Sequence, residues 1–130
     1  MASELRVNTL KDAAGANSVA MTYVAGGSSK FWVSFDGVTP STSDSLNQST
    51  LTDNGTGDFT HTFTSAFGAA TYGFQLSIRD GSTAGRGRFC TPQNGSTYST
   101  TAFQSEFQND TSSTMQDPDD GSVWAVGDLA

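Results

Sequence analysis

The chain holds one histidine and one cysteine, His61 and Cys90, the side chains best suited to proton transfer or covalent chemistry near neutral pH. A Cys–His nucleophile pair would require them side by side. His61, however, alternates in phase with Phe59 and Phe63, which predicts a place in the core or at its edge. Cys90 follows Phe89 and reads as a small buried hydrophobe. A lone cysteine excludes an intrachain disulfide, and one histidine with one cysteine leaves no Cys/His metal set. The carboxylates do not pair around the histidine, and Gly85-Arg-Gly87 fits no phosphate cradle. No catalytic residue and no cofactor is assigned, and a non-enzymatic protein is expected.

Two further sets remain. Asp117-Pro-Asp-Asp-Gly121, with Asp128 beyond it, offers Asp117, Asp119 and Asp120 as weak metal candidates. A calcium loop needs glycine at its sixth position, whereas here it stands at the fifth and the ninth is Ala125, so an acidic solvated turn is the expected reading. A weak calcium or magnesium site at a trimer axis is the alternative. Trp32, Tyr98 and Trp124 form the other set: flat rings amid amide-rich loops that can face a glycan or pack a core or subunit interface.

The elements that must hold these residues read as strands. Of 130 residues, 15% are charged, Gly, Ser, Thr and Asn abound, and no apolar period sustains a long helix. Leu51-Thr-Asp-Asn-Gly-Thr-Gly-Asp58 predicts a hairpin turn launching Phe59-Thr-His-Thr-Phe-Thr64, with Phe59, His61 and Phe63 on one face. Tyr72 to Arg79 repeats the pattern, with Tyr72, Phe74, Leu76 and Ile78 on one face. Lys30 to Gly37 puts Phe31, Val33 and Phe35 in phase and Trp32 opposite. After a loop from Val38 to Asp44, a strand from Ser45 to Leu51 carries Leu46 and Leu51 on opposite parities, which implies a bulge or a subunit contact. Thr97 to Gln108 is compatible with a helix through Phe103 and Phe107, but its threonines favour a strand. Ser122 to Gly127 closes the series.

These strands recur about every ten residues, which predicts an all-β antiparallel sandwich or jelly-roll-like domain over 29–130. Before it, 1–28 reads as a short N-terminal β arm: a strand through Leu5, Val7 and Leu10, then another from Ser18 to Val24. Strands this short make no core alone, and pairing with another chain is expected to satisfy them. Apolar residues on both parities of Lys30–Asp36 and Val123–Val126 make those strands two-sided, as a face packed on a symmetry mate requires.

The net charge of −7 is uneven: Glu106 to Ala130 carries six acids and no Lys or Arg. Nucleic acid is therefore a disfavoured partner, and the basic trio Arg79, Arg86 and Arg88 lacks interleaved aromatics. No stretch approaches membrane-spanning length, so no membrane insertion is expected. The first residues lack the pattern of a signal peptide, and synthesis in a cytoplasm without export is expected.

Four stretches carry a resemblance: Ser3-Glu-Leu-Arg-Val-Asn-Thr-Leu-Lys-Asp-Ala-Ala-Gly15, Lys30-Phe-Trp-Val-Ser-Phe-Asp-Gly37, Asp44 through Thr60, and Val123-Trp-Ala-Val-Gly-Asp128. Together they resemble small virion fibre proteins of tailed bacteriophages, of the marine and cyanobacterial type. The chain departs from that pattern at Gln48, where an apolar residue is common, and in a longer loop after Gly37. The resemblance implies a homotrimeric structural protein located on the virion, a tail fibre that takes part in host-surface attachment. Its partners would be its own copies, other virion proteins through the arm residues Leu5, Val7 and Leu10, and a host surface glycan. A capsid head fibre or decoration protein without a receptor is the first alternative, and a carbohydrate-binding module is the second.

Overall fold

The structure is a computed structural model that describes residues 6–79, 88–92, 98–109 and 114–130. Leu5 of the expected arm, Arg86 of the basic trio and the turn Asp80–Gly85 lie outside the described residues. The arm begins with strand β1 (Thr9–Lys11), pairs antiparallel with β2 (Ser18–Ala20), and ends in helix α1 (Met21–Gly27). Asp12 holds the turn between the strands, accepting from Ala16 N–H at 3.0 Å and from the Asn17 amide at 2.7 Å. The Asn17 amide does most to hold the Asp12 carboxyl below its usual range. Strand structure does not continue to Val24 as the sequence suggested. Thr9 pairs with Ala20 and Met21 N–H donates to Asn8 O, so the ladder ends there. The unpaired backbone that follows satisfies itself as one short helix.

Eight strands build the sandwich. One sheet has the order β4 (Ser41–Leu46), β3 (Ser29–Asp36), β10 (Asp120–Val126), β7 (Gly73–Arg79). The other has the order β5 (Gln48–Gly55), β6 (Asp58–Phe63), β9 (Ala102–Asn109), β8 (Arg88–Pro92). Every pairing is antiparallel, and the two sheets pack face to face. β4 starts earlier than the expected loop allowed, because Asp36 pairs with Ser41 across a tight turn. The expected strand from Ser45 to Leu51 is two strands joined at a corner. Asn47 takes φ 65°, a left-handed conformation that asparagine tolerates, and the chain passes there from one sheet to the other. Its side chain fixes the corner: Ser65 N–H donates to Oδ1 at 2.7 Å and Nδ2 donates to Ser65 O at 3.0 Å. The parity change between Leu46 and Leu51 marks this corner, with Leu46 exposed and Leu51 packed against the core.

The core is aromatic. Phe31, Val33 and Phe35 of β3 and Val123 and Ala125 of β10 face Phe59, His61 and Phe63 of β6 and Phe103 and Phe107 of β9. Phe35 touches Phe59, His61 and Phe107 at ring separations of 5.1, 5.1 and 5.7 Å. Gly121 stands opposite Phe35 in the ladder, and a Cβ there would come within 2.5 Å of its ring. Phe67 and Tyr72 stack at 4.4 Å and close one end. Among the described residues no helix is long and apolar enough to cross a membrane.

Candidate functional site

The period-two pattern of β3 and β10 turns Phe31, Val33, Phe35, Val123 and Ala125 inward. Trp32 and Trp124 must then point outward, and the ladder makes them direct cross-strand neighbours. Register extends the row across the whole sheet: Leu46, Trp32, Trp124, Gln75. The next row holds Asp44, Ser34, Ser122 and Ser77. Trp32 is half-buried, while Trp124 keeps 56% of its surface exposed. The Trp124 indole N–H donates to Ser29 Oγ at 2.7 Å, which pins the ring and leaves its carbon face to solvent. On one side of Trp124 lies a cleft of about 530 Å³, floored by Trp32, Gln75, Ser77 and Ser122. On the other lies a depression of about 470 Å³ bounded by Ser29, Gly73, Gln75 and Val126. Neither is lined by a charged side chain. The charges of this sheet lie outside both: Arg79 pairs with Asp120 at one end, Lys30 and Asp36 stand at the two ends of β3, and Asp44 stands on β4 opposite Ser34.

Tyr98 does not join the tryptophans. It packs on Phe103 at 5.9 Å, on Phe74 at 5.4 Å and on Tyr72 at 6.1 Å, where burial raises its phenol above the usual range. Tyr72 beside it donates to Ala102 O at 3.3 Å and is pushed up to about 12 by burial.

Two of the three acids offered for metal go to separate tasks. Asp117 accepts the Gly57 N–H at 2.6 Å, and Asp120 pairs with Arg79. Among the described residues no three of His, Cys, Asp and Glu converge on a point that could hold an ion. The segment instead locks two turns onto the sandwich. Pro118 is fully buried and its carbonyl accepts the Gly37 N–H at 2.9 Å, while Asp117 holds Gly57. Asp117→Ala leaves a part-buried N–H without its acceptor and is expected to cost about 1 to 2 kcal/mol. The urea midpoint measures this, and an unchanged midpoint would detach Asp117 from the hairpin.

His61 and Ser105 were not paired by sequence reasoning, which had no view of β6 beside β9. Their side chains meet at 3.0 Å between His61 Nε2 and Ser105 Oγ, a distance at which a base can activate a hydroxyl. Both are completely buried, so no substrate reaches the pair while the sandwich is closed. Nδ1 has no hydrogen-bond partner among the described residues, and no carboxylate orients the ring. Burial lowers the imidazole to about 4, so it is neutral near pH 7. Cys90, on β8, packs against the core with its thiol raised by burial and lies outside this hydrogen bond.

On the arm, Val7 and Leu10 are 37% and 44% exposed. The structure adds Val19 and Tyr23, 43% and 76% exposed, which sequence reasoning missed; the alternation of Val19 with Ser18 and Ala20 was their only signal. No known protein family, characterised protein or solved structure matches the chain.

Proposed function

We propose that the chain is a non-enzymatic structural protein of a tailed-bacteriophage particle: a homotrimeric fibre, held on the virion by its N-terminal arm and displaying the sandwich for attachment to the host surface. One observation carries the reading. Leu10, Val19 and Tyr23 stand exposed on a hairpin and a seven-residue helix that buries none of its residues, and Val7 stands exposed just before them. A short hairpin with apolar side chains on its surface is marginal alone and gains stability by adding to another chain. The sandwich, by contrast, closes its own core with eight strands and does not need the arm to do so. This division of labour suits a segment that knits subunits or docks on a virion partner, joined to a domain that is shown to the outside.

Light scattering on the full chain tests it. A mass near three times the chain's 13.6 kDa is expected, and a chain lacking Met1 to Ala25 is expected to be a folded monomer that no longer enters particles. A monomeric full chain together with particles that still incorporate the shortened chain would remove the arm from the reading.

A further inference from the structure

The chain has two tryptophans, and both stand on the outer face of one sheet as cross-strand neighbours. We infer that this face is a binding site for neutral glycans, with pyranose rings seated against Trp124 in the clefts on its two sides. The inference goes beyond assembly and does not rest on the virion reading.

The chemistry of the lining selects the ligand. An indole presents a flat carbon surface whose negative face attracts the weakly positive C–H groups of a sugar ring. Around it the polar groups are the hydroxyls of Ser34, Ser77 and Ser122 and the amide of Gln75, which can donate and accept toward sugar hydroxyls. No Lys, Arg or His lines either cleft to hold a carboxylate, sulfate or phosphate, and Asp44 beside Ser34 and the chain's net charge of −7 oppose acidic sugars. Clefts of about 530 and 470 Å³ lie within the usual range for small-ligand sites. The bond from Trp124 to Ser29 fixes the ring before any ligand arrives, which lowers the ordering cost of binding.

A second copy of the chain is the competing occupant, and the relief of the surface disfavours it. A sheet laid across the Trp124 ridge would leave the depressions on both sides unfilled, whereas subunit interfaces pack to the density of protein interiors.

The two tryptophans make intrinsic fluorescence a reporter of this face alone. The full chain would be titrated with cellobiose, lactose and chitobiose, and in parallel with sialyllactose and a heparin disaccharide, using excitation selective for tryptophan. A saturable change with at least one neutral disaccharide is expected, at least about tenfold weakened in Trp124→Ala and in Gln75→Ala. Both residues are exposed, so these variants should keep the wild-type circular dichroism, and calorimetry would replace fluorescence for the tryptophan variant. Absence of a saturable response to every neutral sugar would overturn the inference, as would preference for the acidic ones or unchanged binding in both variants. Acrylamide that failed to quench the full-length chain would also overturn it, by showing the face covered by another subunit. The sugar titrations do not bear on the solution mass or on particle incorporation, and a face covered by another subunit would leave the fibre reading standing, so failure here and failure of that reading are separable.

Discussion

Gly57→Ala is expected to destabilise the sandwich by on the order of 3 kcal/mol. Gly57 sits at φ 70°, where an L side chain is strained, and that accounts for about 1 kcal/mol. Sterics account for the rest. A Cβ would collide with the Phe107 carbonyl oxygen and come within 2.7 Å of Gln116 N, and both neighbours are backbone. They cannot step aside, because Gln116 N–H donates to Phe107 O and Phe107 N–H donates to Gly57 O, at 3.0 and 2.8 Å. Moving the hairpin tip would break these bonds and the one from Gly57 N–H to Asp117. Gly55→Ala is the control: its φ of 131° is also unfavourable, but nothing lies within 4 Å of the added atom, so it measures backbone strain alone. Urea denaturation of both variants decides the matter. A Gly57→Ala protein as stable as Gly55→Ala would mean that the tip is not wedged between β9 and the approach to β10.

Local pattern was enough for much of this fold. The hairpin at Gly55 and Gly57, the inward triplet Phe59, His61 and Phe63, and the alternation along β3, β7 and β10 are period-two signals that survive without tertiary context. What stayed hidden depends on pairing. Asn47 gave a parity conflict but not a corner, since only the placement of Ser65 across from it explains why the chain turns there. The helix after Ala20 follows from a ladder that runs out of partner, which propensity alone does not reveal. Asp117 looked like part of an acidic cluster because its acceptor role for Gly57 spans 60 residues of sequence. The candidate site shows the same division. That Trp32 and Trp124 point away from the core was readable from parity, but that they are cross-strand neighbours was not, because β3 and β10 lie far apart in the sequence. Tyr98 was expected within a strand from Thr97, but β9 begins only at Ala102, so strand parity could not place it against Phe103 and Phe74.

The second large effect concerns acid. Below neutral pH the sandwich is expected to lose about 3 kcal/mol through His61 alone, from an imidazole lowered from 6.5 to about 4. Burial is the cause: the ring is fully enclosed, with Phe31 and Phe35 from β3 and Phe103 and Ser105 from β9 around it, and none of these carries a charge to offset a proton. The direction follows from where the proton binds first. As pH falls through 6.5 the unfolded chain takes up the proton while the folded one does not, so stability drops until about pH 4 and then levels. Above 6.5 both states are neutral and this contribution is complete. For a chain of this size the loss corresponds to a melting temperature lower by about 10 °C at pH 4 than at pH 7. Carboxylates titrate in the same region, so the test needs a variant that removes only the imidazole. His61→Leu with Ser105→Ala replaces both hydrogen-bonding partners by apolar groups, leaving neither orphaned. The wild type should lose more stability between pH 7 and pH 4 than the double variant, by the amount assigned to His61. Parallel curves would show that the buried imidazole does not govern the acid limit of the fold, and would require that the proton enter the folded core as easily as the unfolded chain.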